Sequence, residues 1–175
     1  MIKCLTLLGF VVLFLSCKDE VSLQNYLVEK ENNSDFISAS LPSSLIFQNL
    51  DSLSTELNAS LQKIKKINLL ALTKTKAGGL LSDENRQLNE ILANSDYENL
   101  MNFKADGRAA KLLYEGDDKQ IDELIFYGFD AEMGLLFLRM HGEDLKATDL
   151  YNISQSAQQL DLNTLAPGFK TILDK

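Results

Sequence analysis

An alternation of apolar and polar residues opens the patterned part of the chain and predicts a strand over residues 36–41, which ends before Pro42. Five apolar residues then recur at steps of three and four, as on one face of an amphipathic helix. They are Leu50, Leu53, Leu57, Leu61 and Ile64. Residues 67–73 are apolar on both faces and indicate a central strand. Because a strand, a helix and a strand follow one another, we expect a crossover that leaves the two strands parallel.

A second helical pattern follows a loop over residues 74–79. Ser82 or Asp83 is its candidate cap, and Leu88, Ile91 and Leu92 mark its inner face. Residues 95–101 are predicted to restart this helix.

The second half of the chain reads as three strands and one more helix. After a turn at Asp106-Gly107, hairpin turns at 116–119 and 130–134 separate the strands. The strands cover residues 109–116, 121–129 and 135–141. A third helix is marked by Leu150, Ile153, Ala157 and Leu160, and residues 162–173 are predicted to form a short helical tail.

The predicted element order is β-α-β-α-β-β-β-α, which places the chain in the α+β class. We expect a single mixed sheet of about five strands, with the helices mainly on one face. Residues 36–175 would form this single domain. Residues 17–35 are polar and charged and are interpreted as a tether, within which Leu23, Tyr26 and Leu27 offer a first docking element.

The first twenty residues carry a targeting pattern. Lys3 precedes an almost wholly apolar run over residues 5–15, and Ser16 and Cys17 come directly after it. A basic start, a short apolar run and a small residue at the cleavage point are typical of a secretory signal peptide, here residues 1–16. The run is shorter than the roughly 20 residues that a membrane-spanning helix needs.

The residues around Cys17 point to a lipid anchor. Phe14-Leu15-Ser16-Cys17 resembles the lipobox of bacterial lipoproteins, although Phe14 stands where that family usually has leucine. The resemblance implies that Cys17 is acylated, and several acyl chains at about 0.8 kcal/mol per buried CH₂ would make release from a membrane negligible. The alternative is a plain signal peptide with an incidental cysteine.

The three residues after Cys17 bear on its location. Lys18-Asp19-Glu20 resembles the surface-export signal of Bacteroidetes-type outer-membrane lipoproteins. This resemblance implies a protein of the outer membrane whose domain lies at the cell surface. The alternative interpretation is a hydrated start to the tether.

Net charge and cysteine content exclude several classes of function. Without residues 1–16 the chain loses Lys3, one of its 17 basic residues, and keeps all 25 acidic residues, which gives a net charge of −9. An acidic surface disfavours nucleic acid and anionic lipid as partners. Cys4 leaves with the signal peptide and Cys17 would be acylated, so we expect neither a disulfide nor thiol chemistry.

The only histidine of the chain, His141, is the candidate centre of an active site. Glu143 and Asp144 follow it closely, and a base with two nearby acids at a strand end is compatible with hydrolysis. The alternative is a strand-end histidine in a polar turn. One histidine without thiols does not make a zinc site, so no metal is predicted there.

Two further patterns are interpreted as structural. Asp117, Asp118, Asp122 and Glu123 are rich in oxygen ligands, but they lack the alternate spacing of a calcium loop and are read as a solvated hairpin. Ser60 and Lys63 match Ser-x-x-Lys in mid-helix by chance, since the partner motifs of acyl-serine enzymes are missing. We expect no cofactor.

The aromatic run Phe126-Tyr127-Gly128-Phe129 raises a different question. Successive strand residues point to opposite faces, so Tyr127 and Phe129 cannot share a buried face with Phe126. Either the sheet is covered on both faces, or Tyr127 and Phe129 form an exposed surface for a partner.

A family resemblance spans residues 22–173 and rests on the segments 22–29, 35–37, 41–45, 68–72, 97–101 and 121–124. Together these segments resemble the DUF4252 family, a group of small Bacteroidetes lipoproteins with an uncharacterised domain. The resemblance implies an envelope lipoprotein with an α/β domain, and it offers no catalytic residue to carry over.

The sequence therefore favours a non-catalytic lipoprotein of the cell envelope. Its expected partners are the membrane, through acylated Cys17, and an unidentified envelope protein or surface component, with no nucleic acid. The alternative is an envelope hydrolase that uses His141 with nearby carboxylates.

Overall fold

The computed structural model describes residues 22–46, 53–117 and 119–157. In chain order its elements are α1 (Leu23–Glu31), β1 (Ile37–Pro42), α2 (Ser43–Ile46), α3 (Thr55–Gln62), β2 (Ile64–Thr73), α4 (Lys74–Ala77), α5 (Leu81–Ala93), β3 (Glu98–Ala105), β4 (Arg108–Gly116), β5 (Ile121–Asp130), β6 (Gly134–Leu145) and α6 (Ala147–Ala157). The predicted signal peptide, Cys17, the predicted export signal at residues 18–20 and the predicted tail at residues 162–173 all lie outside the described residues.

The strands form one open sheet of six strands in the order β1-β2-β6-β5-β4-β3. Every neighbouring pair is antiparallel. The α+β class and the three predicted hairpin strands are confirmed, whereas the expected mixed sheet of about five strands is wrong in strand number and direction.

The predicted parallel crossover between the first two strands is also wrong. Ile37 pairs with Ala71 and Pro42 with Lys66, so β1 and β2 are adjacent and antiparallel. The cause lies in the connection, which keeps both strand ends together: Ser43 directly follows β1, and its hydroxyl donates a hydrogen bond to the backbone oxygen of Ile64, where β2 begins. Strand β2 therefore begins beside the end of β1 and runs back along it.

The sixth strand replaces the predicted continuation of the second helix. Helix α5 ends at Ala93, and residues 98–105 form β3. Asp106 and Gly107 both have positive φ, 50° and 75°, which is typical of the two-residue type I′ turn that closes a β-hairpin. Such a turn requires a strand on each side, and this outweighs the helical spacing of residues 97–101.

The helices cover both faces of the sheet, which corrects the expectation of helices mainly on one face. On the first face, α1 and α5 contribute Tyr26, Leu88 and Ile91 to a core that includes Tyr127 and Phe137. On the second face, α3 and α6 contribute Leu57, Leu61, Leu150 and Ile153 to a separate core. Leu23 and Tyr26 of α1 are buried, so the folded domain begins within the segment interpreted as tether.

A buried carboxylate ties the two helices of the second face together. Asp149 in the first turn of α6 is 5% exposed and accepts hydrogen bonds from Ser60 Oγ at 2.9 Å and Lys63 Nζ at 2.6 Å. It also accepts one from the backbone N–H of Lys146 at 2.8 Å. Ser60 and Lys63 therefore have a shared structural partner.

We expect Asp149→Asn to destabilise the domain at neutral pH by about 2–3 kcal/mol, the usual cost of removing a charged hydrogen-bond partner. Burial raises the pKa of Asp149, but hydrogen bonds from Lys63, Lys146 and Ser60 outweigh it, and the pKa is lowered from 3.8. A lowered folded-state pKa contributes stability that is present above pH 3.8 and is lost as the pH falls below it. Urea denaturation between pH 2 and pH 7 measures this, and the destabilisation should shrink at the acidic end.

Candidate binding groove and its charged end

A groove of about 290 Å³ lies on the first face, between α1 and the first two strands of the sheet. Helix α1 forms one wall with Gln24, Leu27 and Val28. Polar side chains form much of the other wall: Ser38, Ser40, Lys66, Asn68 and Arg139. The volume lies at the small end of the range of ligand sites, which is enough for a few residues of a peptide.

The position of α1 is fixed by contacts with α5. Tyr26 Oη donates a hydrogen bond to Glu84 at 2.9 Å, and Lys30 Nζ bonds the same carboxylate at 2.8 Å. Lys30 is 6% exposed and lies 5.2 Å from the Tyr26 ring centre and 5.6 Å from that of Phe36, within cation–π range. The groove is thus bounded by a helix held through buried contacts.

The pKa values of Tyr26 and Lys30 are both raised, which keeps the phenol protonated and the lysine charged. Burial, followed by the charge of Glu84, raises the pKa of Tyr26. Burial lowers the pKa of Lys30, but hydrogen bonds to Glu84 and Glu29 outweigh it and the pKa is raised. At neutral pH the phenol is therefore a neutral donor and the lysine a cation.

The charged end of the groove is built around Glu123, which is 5% exposed. Arg139 Nε lies 2.8 Å from each Glu123 oxygen, and its Nη2 lies 2.7 Å from Oε1. Tyr97 Oη donates to Oε2 at 2.5 Å, and His141 Nδ1 lies 3.1 Å from Oε1. The Arg139 Nη1 donates to Gln24 Oε1 at 2.7 Å, which links this network to the groove wall.

The electrostatics of the network keep the Tyr97 phenol protonated and the Arg139 guanidinium charged. Burial and then the Glu123 carboxylate raise the pKa of Tyr97, so its phenol remains a donor. Burial lowers the pKa of Arg139, but the Glu123 carboxylate outweighs it and raises the pKa. Because Glu123 accepts hydrogen bonds from Arg139 and Tyr97, we infer that it holds the Arg139 guanidinium against the groove wall.

The structure pairs His141 with a carboxylate that the sequence analysis did not assign to it. His141 contacts Glu123 on β5, while Glu143 lies 3.8 Å from Lys65 in an exposed ion pair. Asp144 is exposed and has a positive φ of 58°. The predicted grouping of His141 with Glu143 and Asp144 is therefore replaced by a dyad with Glu123.

The acidic hairpin divides between a turn and the core. Asp117 Oδ1 accepts hydrogen bonds from the backbone N–H groups of Lys119 and Gln120 at 2.8 and 3.0 Å. Asp122 is exposed, and Glu123 points to the opposite face. Asp118 lies outside the described residues. Among residues 22–46, 53–117 and 119–157, no group of three or more His, Cys, Asp or Glu side chains is placed to hold a metal ion.

The aromatic pair considered as a partner surface belongs to the core of the first face. Tyr127 is 0% exposed, and its hydroxyl donates to Asn85 Oδ1 and accepts from Asn89 Nδ2 at 3.0 Å. Burial raises its pKa to about 12. Phe129 is half-buried against the same core. Tyr127 therefore offers no surface to a partner. Tyr127 and Phe126 point to opposite faces, and each packs against the helical core on its own face.

The sequence contains a signal for the Glu123 network, namely a carboxylate at an inward strand position. The interpretation of Asp122 and Glu123 as a solvated hairpin missed it. Alternation along β5 places Glu123 on the same face as Ile125 and Tyr127, which are buried. A carboxylate at an inward position requires a buried partner, and Arg139 occupies an inward position of β6.

These observations define the class of the protein: an α+β domain with an open antiparallel sheet, helices on both faces and a polar groove under its first helix. The chain belongs to the family described as Domain of unknown function (DUF4252), which matches residues 28–153. No curated protein and no solved structure matches the chain. Within the described residues, none of the helices has the length and apolar character needed to cross a membrane.

Proposed function

We propose that this chain is a lipid-anchored protein of the cell envelope that binds an envelope protein or surface component in the groove and performs no catalysis. The groove is the observation that carries the binding function. Its walls combine hydrogen-bonding side chains with an apolar lip at Leu27 and Val28, and Val28 is 50% exposed. The lipobox resemblance at Cys17 and the export resemblance at Lys18-Asp19-Glu20 support the anchor and an outer-membrane, surface-exposed location.

The tether length adds a geometric consequence. Only four residues, 18–21, lie between Cys17 and Ser22, whose Oγ caps α1 by accepting from the N–H of Asn25 at 3.2 Å. A fully extended chain spans at most about 18 Å over that distance. If Cys17 carries the acyl chains, Gln24 and the charged end of the groove lie close to the bilayer. We therefore expect a partner that reaches the membrane surface.

The chemistry of the groove favours an extended peptide segment of the partner. Ser38, Ser40 and Asn68 can exchange hydrogen bonds with backbone amides, while Val28 offers contact to one apolar side chain. Lys66 is exposed and makes no ion pair with any residue that the structure describes, so it is available to a carboxylate. Arg139 is already neutralised by Glu123.

The alternative function, an envelope hydrolase, rests on the 3.1 Å contact between His141 Nδ1 and Glu123. A carboxylate in that position orients an imidazole whose other nitrogen can accept a proton from water. The substitution His141→Ala distinguishes this function from binding, because it should abolish hydrolysis and leave binding intact.

A photo-crosslinking amino acid at Val28, in living cells, tests the binding function. We expect one discrete adduct, because Val28 lies at the lip of the groove. The matched control carries the same group at Leu80, which is 53% exposed and outside the groove lining. Ser38→Arg should abolish the adduct by filling the groove, and His141→Ala should leave both the adduct and any deletion phenotype intact.

Four results would contradict parts of the proposal. An adduct that forms equally from Leu80, or that survives Ser38→Arg, removes the groove as the binding site. Loss of a deletion-complementing activity in His141→Ala with an unchanged adduct favours the hydrolase. Retention of Cys17→Ala in the membrane fraction argues against the lipid anchor, and protease shaving with Lys18, Asp19 and Glu20 replaced by alanine tests surface export.

A further inference from the structure

The second face of the sheet carries an apolar row that crosses all six strands. The strand registers place its members side by side: Ile37, Ala71, Leu136, Gly128, Ala110 and Phe103. No charged or hydrogen-bonding side chain interrupts this apolar row. Six strands about 4.8 Å apart make it roughly 24 Å long.

Burial decreases across this face toward the apolar row. Ile67, Leu124 and Met140 lie in one line across the strands and are 1%, 0% and 8% exposed. In the apolar row, Ala71 is 1% exposed, but Ile37, Leu136 and Ala110 are only half-buried, and Phe103 is 52% exposed. Helices α3 and α6 share a core with Ile67, Leu124 and Met140, to which they contribute Leu57, Leu61, Leu150 and Ile153. The described helices thus leave the apolar row incompletely covered.

An apolar strip of this length on a sheet face is a surface that natural proteins normally cover. Helix α6 lies on this face and extends to Ala157, and residues 158–175 follow it. The apolar residues of that segment are Leu160, Leu162, Leu165, Phe169, Ile172 and Leu173. Eighteen residues span about 27 Å as a helix and up to about 60 Å when extended, so the segment can cross the whole apolar row.

We propose that residues 158–175 lie across the apolar row and bury it, so that the chain supplies its own cover for the second face. The internal segment 47–52 joins α2, whose Ser43 bonds Ile64, to Leu53, which packs against the core of the second face. Six residues that make this connection have no length left to cross a row of about 24 Å. The C-terminal segment therefore fits the apolar row better. The groove on the first face is then left as the surface for an external partner.

The absence of tryptophan from the chain allows a direct test. Phe169→Trp in the full chain provides a single fluorophore within the C-terminal segment. We expect blue-shifted emission and acrylamide quenching several-fold weaker than that of a free tryptophan, both independent of protein concentration. Adding Phe103→Glu on the apolar row should increase quenching several-fold. The matched control is Leu80→Glu, which is similarly exposed at 53%, lies next to Leu81 of the first-face core and should leave the quenching unchanged.

A second readout does not depend on a charged substitution. Both cysteines lie within the first 17 residues, so Cys4→Ser and Cys17→Ser allow a single nitroxide label at Phe103→Cys. The label should quench the fluorophore at position 169, since the two positions would be in contact.

Each remaining outcome overturns the inference. Quenching of the Phe169→Trp chain like a free tryptophan means that the segment does not pack. Shielding that disappears on dilution assigns the apolar row to a second copy of the chain. Shielding that is insensitive both to Phe103→Glu and to the nitroxide places the segment elsewhere.

Discussion

Tyr127→Ala is expected to lower the free energy of unfolding by about 3–5 kcal/mol, the range for removing a buried aromatic side chain. Tyr127 is 0% exposed, and its hydroxyl bridges Asn85 and Asn89 of α5 to the sheet. Domains of this kind are stable by only about 5–15 kcal/mol, so the loss should remove a large part of the total. Thermal and urea denaturation followed by circular dichroism measure it.

Two control variants separate packing from the hydroxyl group. Tyr127→Phe keeps the ring and should cost about 1 kcal/mol, the net value of a typical hydrogen bond. Phe129→Ala acts at a half-buried position and should cost less than Tyr127→Ala. If Tyr127→Ala instead left the unfolding transition unchanged and only weakened partner binding, Tyr127 would be a surface residue and the two-faced core would be wrong.

The elements with local signals are the ones that the sequence predicts well. The strands 121–129 and 135–141 and the hairpin turns around them follow from alternation and turn residues, and the structure places them at Ile121–Asp130 and Gly134–Leu145. The predicted cap of the second helix is wrong, because α5 begins at Leu81, before Ser82 and Asp83, and has no side-chain cap. Hairpin turns are decided within a few residues, so one sequence suffices for them.

The parts that the sequence does not predict depend on distant contacts. The direction of β1 depends on Ser43 meeting Ile64 across 21 positions. Residues 97–101 have helical spacing, but the pairing of Glu98–Ala105 with β4 makes this segment a strand. The packing of α1 with α5 on the first face depends on Tyr26 meeting Glu84 across 58 positions. Propensity within a short window carries no information on such pairings.

In the candidate site too, local features are visible in the sequence, whereas features that depend on distant contacts are not. His141 stands out as the single histidine, but its carboxylate partner is Glu123, 18 positions earlier, rather than Glu143 or Asp144. Gln24 and Asn68 enter the groove only because α1 packs over β1 and β2. A polar residue at an inward strand position, as at Glu123 and Arg139, is the one signal that the sequence does contain.

Glu123→Ala is expected to destabilise the domain by about 3–4 kcal/mol at neutral pH. The substitution leaves Arg139, whose side chain is 20% exposed, without its bidentate partner and removes the acceptor of Tyr97. Breaking one side of a buried ion pair costs more than the pair contributes, because the remaining charge stays desolvated. Glu132→Ala is the matched control, since its ion pair with Lys74 is exposed at 83% and 45%, and its effect should be within about 1 kcal/mol.

The double variant Glu123→Leu, Arg139→Met decides what the network is for. Replacing both charges with apolar side chains of similar volume removes the uncompensated charge, so much of the stability lost in Glu123→Ala should return. The same variant loses the 2.7 Å bond from Arg139 to Gln24 on the groove wall. We therefore expect a folded protein whose crosslink from Val28 is weakened. Recovery of both stability and crosslinking would mean that the network only supports the fold, whereas continued instability would show that Glu123 and Arg139 do more than compensate each other.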